Sequence, residues 1–194
     1  MLTPLLETAG RAGVDTLTLY AFSTENWGRP EKEVSTLMKL FLETAREKVP
    51  ELNDRGARLR FLGRREGLPA SVLEAVAEAE QSTAENDSLD VYIALNYGGR
   101  AEIVDATRRM MAEGLAPDEV DEKTFARYLY APDVPEVDLV IRTSGELRVS
   151  NFLLWQIAYA EFYVTDTLWP DFSAEEFLRA LESFASRSRR RGSV

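Results

Sequence analysis

The sequence predicts an α/β fold, a largely parallel central sheet with helices on both faces, and three observations carry that prediction. Apolar runs of strand length alternate along the chain with longer runs whose apolar residues recur at helical spacing. The breaks between them are short and marked by Gly13, Gly56 and Gly98-Gly99. No repeat, low-complexity tract or Pro/Gly/Ser linker divides the 194 residues, a length ordinary for one domain, so residues 1–194 read as a single domain.

Each element has its own signal. Leu2 to Ala12 reads as a helix that ends at Gly13, and Asp15 to Phe22, rich in Leu, Thr, Tyr and Phe, as a buried strand. Pro30 and Glu31 open a helix that places Val34, Leu37, Met38, Phe41, Ala45 and Val49 on one face before Gly56 stops it. Ala57, Leu59 and Phe61 alternate with Arg58, Arg60 and Leu62 as a half-buried strand. A helix over Pro69 to Glu85 leads to a strand over Leu89 to Asn96, with Leu89, Val91, Ile93 and Leu95 on one face. Gly98-Gly99 precedes a helix expected to turn Ile103, Val104, Thr107 and Met111 inward. A short helix around Asp121 to Leu129 comes before a strand over Val137 to Arg142. Ser173 and Glu176 form a capping box for the last helix, whose buried stripe is Phe177, Leu178, Leu181, Phe184 and Ala185.

Composition narrows the chemistry. Lys and Arg number 23 against 33 Asp and Glu, a net charge of −10, which argues against a nucleic-acid partner. The absence of Cys removes disulfides, thiolate metal sites and cysteine nucleophiles, and the absence of His removes a Ser-His-Asp triad. A metal would have to take oxygen ligands, which suits Mg²⁺. No stretch approaches the roughly 20 apolar residues of a membrane span. The sequence therefore reads as cytoplasmic, with at most peripheral membrane contact.

In parallel sheets ligands sit beyond the carboxyl ends of the strands, so the segments there are the candidates. They are Ser23-Thr24-Glu25-Asn26-Trp27-Gly28-Arg29, Asn96-Tyr97-Gly98-Gly99-Arg100, and Arg142 to Asn151, three loops expected to line one pocket. Arg142 and Arg148 bracket a turn at Gly145, and Ser150 or Asn151 can cap a following helix, a set that suits a diphosphate. It is equally a solvated loop in which Glu146 pairs with an arginine. Asn26 and Glu25 can orient a substrate, Trp27 wall an apolar cleft and Arg29 meet a phosphate, or Trp27 is a core aromatic beside a helix start. Two glycines before a helix suggest a tight turn with positive φ. Glu161 follows the apolar run Phe152 to Ala160 and has to be paired with an arginine, protonated or bound to a cation. The stripe Val34, Leu37, Met38 and Phe41 with Phe22 is core or the wall of a lipid tunnel, and Arg187, Arg189, Arg190 and Arg191 form a basic tail.

Taken together these segments resemble the cis-prenyltransferases, the undecaprenyl or decaprenyl diphosphate synthase family. The matching strings are Leu17 to Trp27, Asn96 to Arg100, Arg142 to Glu146, Ser150 to Gln156 with Tyr159-Ala160-Glu161, and Trp169 to Phe172. They stand in family order over essentially the whole chain. The resemblance implies an α/β homodimer that condenses isopentenyl diphosphate onto an allylic diphosphate such as farnesyl diphosphate, making cis double bonds with Mg²⁺. It implies that Arg142, Arg148, Val149 and Ser150 bind isopentenyl diphosphate, and that Asn26 is the catalytic residue near the proton removed from C2. Ser23, Thr24, Glu25, Trp27 and Arg29 are the implied substrate-binding neighbours, Glu161 the metal ligand, and Arg190-Arg191-Gly192 a segment that reaches across the dimer. The growing hydrocarbon would give part of the Val34 to Phe41 stripe a tunnel to line.

Two departures accompany the resemblance. Leu147 stands where the family often carries His, and Leu ligates nothing. The family's Asp-Gly-Asn-Gly-Arg-Trp loop, whose Asp is catalytic, is not among these residues. The expectation is a chain short of about 45 to 65 family residues. Such a chain would have reduced stability and no allylic-diphosphate loop, and whether it is active as given is a separate question. The alternatives are a non-catalytic partner subunit of a heteromeric prenyltransferase, which would not need Arg142, Arg148 and Ser150, and an unrelated phosphate-binding hydrolase.

Overall fold

The computed structural model describes residues 2–187. The chain divides into two compact units, Asp15–Val134 and Met1–Val14 with Pro135–Val194. Every strand pair among the described residues is parallel, and helices intervene between most consecutive strands, so the α/β class stands.

The larger unit contains β1 (Thr16–Ser23), α2 (Glu31–Asp54), β2 (Ala57–Leu62), α3 (Ala70–Ser82), β3 (Leu89–Tyr97), α4 (Gly99–Ala112) and α5 (Glu122–Ala126), and the other unit contributes α1 (Leu2–Arg11) ahead of them in the chain. The strand order is β1-β3-β2. The central place of β3 explains its composition: Leu89, Val91, Tyr92, Ala94 and Leu95 are buried on both faces rather than on one. By contrast β1 is an edge of this sheet and is mostly half-buried, with only Phe22 fully covered, so the expectation of a buried strand is corrected.

One sheet face is closed by α2 and α3. Phe22 and Leu95 from the strands meet Val34 and Met38 of α2, Val72 and Val76 of α3 and Leu68, with Leu37, Phe41 and Phe61 packed around them. Of the stripe expected on α2, Val34 and Met38 are buried in this core and Leu37 and Phe41 are partly covered against it, full burial of such a side chain contributing about 2 kcal/mol. Glu31 and Glu33 sit in the first turn of α2 against its positive end, and the helix runs through Pro50 before Gly56 takes a left-handed φ of 72°. The opposite face of β2 and β3 begins polar and ends apolar: Arg58 grips Asp90 at 2.5 and 2.7 Å, Arg60 lies over the Tyr92 ring, and Leu62 and Ala94 are buried.

α4 is turned away from the expected orientation. Its inward residues are Glu102, Ala106 and Met110, while Val104 and Met111 are exposed. The cause is the Glu102 carboxylate, 1% exposed, which accepts the Tyr97 hydroxyl at 2.5 Å and the Tyr130 N–H at 3.0 Å. A buried acid with those partners outweighs the burial of two apolar side chains.

The smaller unit pairs β4 (Leu139–Arg142) with β5 (Glu161–Val164) and packs α1 against α6 (Ala174–Ala185). Ser173 caps α6 through the Glu176 N–H, but the Glu176 carboxylate does not complete the capping box. It accepts the Tyr163 and Thr165 hydroxyls instead, and Leu178 and Ala185 face outward. No helix among the described residues is long and apolar enough to cross a membrane.

Candidate functional site

The segment after β1 is held by its own side chains. Thr24–Gly28 form a single 3-10 turn, entered through the Ser23 N–H, which donates to Asn26 Oδ1 at 2.9 Å. The Asn26 carboxamide oxygen therefore fixes the loop. Thr24 donates to Glu25, and Arg29 pairs with Glu33 at 2.7 Å with both side chains half exposed. Trp27 meets Phe22 edge to face, ring centres 5.2 Å apart, and its indole N–H donates to Asn96 Oδ1 at 2.7 Å. It nevertheless stays 38% exposed, so one edge is core and the rest is presented to solvent. Burial, and after it the charge on Glu25, push the Tyr20 phenol up to about 12.

At the end of β3 the left-handed residue is Asn96, with φ 51°, and neither glycine supplies it; Gly98 is extended at φ −159° and Gly99 begins α4. This corrects the expectation for Gly98-Gly99. A further cluster, absent from the sequence reading, surrounds α4: Arg64 grips Asp105 at 2.7 and 3.0 Å and Tyr130 donates to the same carboxylate at 2.6 Å. Arg64, and after it Tyr130, hold Asp105 below the ordinary carboxylate range.

In the smaller unit the turn after β4 is tied to the exit of β5. Ser144 and Gly145 N–H groups donate to Thr167 and Thr165 carbonyls at 2.9 Å, and Thr165 N–H donates to the Arg142 carbonyl at 2.9 Å. Ser144 and Gly145 both take positive φ, and a Cβ on Gly145 would stand 2.7 Å from Asp166 Oδ1. Arg142 thus projects from a fixed backbone, and its Nε is buried with no hydrogen-bond partner among the described residues. A buried cationic donor without an acceptor is costly, and an anion relieves that cost. Arg148, by contrast, is exposed and paired with Glu146, while Leu147 is 88% exposed.

The helix expected after Ser150-Asn151 does not form as regular structure. Ser150, Asn151 and Leu153 take φ of 53°, 61° and 44°, and left-handed residues do not propagate a right-handed helix. The segment is a series of turns, with Ile157 N–H to the Leu153 carbonyl as one helical turn, and Val149 and Ser150 are half-buried within it. Glu161 opens β5 and pairs with Arg187 at 2.8 Å, which is the arginine-pair alternative for that residue. No group of three or more carboxylates among the described residues is placed to hold a metal. Arg190-Arg191-Gly192, with Arg189, lie outside the described residues.

The family model described as "Putative undecaprenyl diphosphate synthase" matches residues 1–192. The chain belongs to that family. It is 49% identical to the isoprenyl transferase of Fusobacterium nucleatum over 97% of this chain and 81% of that protein. It is also 49% identical to the isoprenyl transferase of Thermotoga maritima, over 94% of this chain and 79% of the relative. Among solved structures it resembles lavandulyl diphosphate synthase from Lavandula x intermedia, determined in complex with dimethylallyl diphosphate. That likeness has a TM-score of 0.93 and 35% identity, covering 98% of this chain and 84% of the other. A "probable undecaprenyl diphosphate synthase" from Campylobacter jejuni matches with a TM-score of 0.91 and 34% identity over 99% of this chain and 90% of the other. The fold expected from the resemblance is the fold of these prenyltransferase-family relatives, and the family membership makes the chain a prenyltransferase-type transferase.

Proposed function

We propose that the chain condenses isopentenyl diphosphate onto an allylic diphosphate such as farnesyl diphosphate, giving a cis-polyprenyl diphosphate. The observation that carries the proposal is Arg142, a half-buried side chain whose Nε is buried and has no partner among the described residues, on a backbone tied to the exit of β5, in a chain of the undecaprenyl diphosphate synthase family. The solved relative bound to dimethylallyl diphosphate, itself an allylic diphosphate, supports the substrate class.

In the reaction the allylic C–O bond breaks and the electron pair leaves with diphosphate. A C–C bond forms to C4 of isopentenyl diphosphate, and the proton at its C2 departs. Arg142 and Arg148 hold the isopentenyl diphosphate group by paired guanidinium contacts, and the Ser150 hydroxyl and Val149 backbone complete the clamp. Asn26, held at its oxygen by the Ser23 N–H, lies near the departing proton. Ser23, Thr24, Glu25, Trp27 and Arg29 contact the substrates, and anionic charge on the leaving group is stabilised by arginine.

Glu161 fits a Mg²⁺ that draws its other ligands from diphosphate and water, as such ions commonly do, because its carboxylate is partly exposed and its present partner is an exchangeable arginine. When bound, the ion neutralises diphosphate charge. The proposal takes residues 1–194 as one domain, supported by the family match across residues 1–192, acting in the cytoplasm as a homodimer.

The test is incorporation of labelled isopentenyl diphosphate into extractable polyprenyl product, with farnesyl diphosphate and Mg²⁺. It is run on this chain and on one extended by an Asp-Gly-Asn-Gly-Arg-Trp segment. Product from either chain supports the proposal. No product from either, with both folded, moves the partner-subunit reading to the front.

A further inference from the structure

We infer that Asn96 is a positioning residue that sets the plane and height of the Trp27 indole at the mouth of the larger unit's sheet. The inference rests on the prenyl-transfer reading only where it gives Trp27 a substrate to meet. The strands β1 and β3 keep register from Thr16↔Asp90 to Tyr20↔Ala94 and then lose it twice. Phe22 pairs with Leu95 and Ser23 with Tyr97, so Ala21 on one strand and Asn96 on the other are passed over. Asn96 is a bulge residue with φ 51°, and a bulge re-aims the side chain it carries.

The re-aimed carboxamide, 3% exposed, joins all three strand exits. Its Nδ2 donates to the Arg64 and Glu66 carbonyls at 3.0 Å each, both beyond β2. Its Oδ1 accepts the Trp27 indole N–H at 2.7 Å, beyond β1. Its own carbonyl accepts the Arg64 N–H at 3.2 Å. Only asparagine meets all of these demands. Aspartate has no donors for two carbonyls, glycine has no side chain, glutamine is one methylene too long, and asparagine is the side-chain-bearing residue that best tolerates left-handed φ. With Phe22 against one edge of the ring and Asn96 on its nitrogen, the remaining indole surface is held in one orientation toward solvent.

The experiment compares the parent with Asn96→Gly, Trp27→Phe and the double variant. The Trp27 indole N–H resonance, assigned by its loss in Trp27→Phe, is expected to be slow to exchange in the parent and fast in Asn96→Gly, which keeps the left-handed backbone. Affinity for farnesyl diphosphate is expected to fall about tenfold in each single variant, the scale of one hydrogen-bonded orientation, and no further in the double variant. Losses that multiply, or an indole N–H still protected in Asn96→Gly, overturn the assignment. If Asn96→Gly does not fold, Trp27→Phe decides: a tenfold loss of affinity with its Asn96 amide signals still protected supports the assignment, and unchanged affinity overturns it. A parent that binds no farnesyl diphosphate, with or without the Asp-Gly-Asn-Gly-Arg-Trp extension, overturns the prenyl-transfer reading, and the indole signal then decides the positioning role by itself.

Discussion

Gly63→Ala places a single methyl group against the least yielding part of the larger unit. Gly63 follows the last β2–β3 pair, Leu62↔Ala94, with φ 134°, and a Cβ there would stand 1.9 Å from the Leu95 carbonyl oxygen and 3.1 Å from that of Asn96. Real Cβ contacts do not come closer than 3.0 Å, so the backbone has to open by about 1 Å. Leu95 cannot retreat, because it lies on the central strand and is packed against Phe22, Val34 and Val72. The φ strain costs about 1–3 kcal/mol and the overlap a similar amount, together about 4 kcal/mol. At this chain length that lowers the melting temperature by about 8–16 °C. Gly10→Ala provides the contrast within α1, since no atom of the described residues lies within 4 Å of its Cβ; it is expected to raise the midpoint by about 1–4 °C. Circular dichroism melts of both variants suffice. A Gly63→Ala chain melting within about 2 °C of the parent refutes the argument, since no ordinary relaxation absorbs a displacement of that size.

Other perturbations separate stability from binding. Tyr97→Phe removes the hydroxyl that Glu102 accepts at 2.5 Å in a fully buried place, and should cost about 1–3 kcal/mol by thermal or urea unfolding. Arg142→Met should stabilise the chain by about 1–2 kcal/mol by removing a buried unpartnered donor, and should weaken isopentenyl diphosphate binding at least about a hundredfold; a destabilised variant that still binds contradicts the clamp. Arg58 holds Asp90, and Arg64 holds Asp105, below the ordinary carboxylate range. Groups lowered in the folded state contribute stability that is present above the unfolded value of about 3.9 and lost as pH falls through the folded one. With no His in the chain, the melting temperature should be flat from about pH 8 to pH 5 and fall below about pH 4; a decline already between pH 7 and 5 would contradict this assignment.

What the sequence made legible follows the range of the interaction. α2 and β2 were readable because their signals are local: Pro30 and Glu31 at the start, Gly56 at the stop, and alternation at Ala57, Leu59 and Phe61. The carboxyl-end segments were readable because polar residues at strand exits are a local surplus, and Arg142 sits where that reasoning places it. Two of the errors are non-local. α4 turned because Glu102 found Tyr97 and Tyr130, and the left-handed residue was Asn96 because Trp27, 69 residues earlier, and the Arg64 and Glu66 carbonyls draw on one carboxamide. The Ser150-Asn151 cap was a sound local signal defeated by left-handed backbone at Ser150, Asn151 and Leu153. An asparagine at a strand end, one tyrosine ahead of Gly98-Gly99, was the available hint, since Asn is the side-chain-bearing residue most at ease with positive φ.

The arginines proposed for diphosphate differ in what they must give up. The Arg142 Nε is buried with no partner among the described residues to give up, whereas Arg148 is already paired with Glu146. That pair is exposed on the arginine side and contributes little to stability, so an incoming diphosphate, which accepts two parallel guanidinium bonds, displaces the carboxylate at small cost. The carboxylate nevertheless remains as a like charge beside the bound anion. Glu146→Gln removes both the competitor and the repulsion. Isopentenyl diphosphate affinity, measured by isothermal titration at low ionic strength, should therefore rise by about two- to fivefold. The gain should shrink at 0.5 M salt, where screening shortens the reach of exposed charges to a few ångströms. A loss of affinity instead would mean that Glu146 itself holds the ligand, directly or through a bound cation, and that its contact with Arg148 marks a shared binding role rather than a competition.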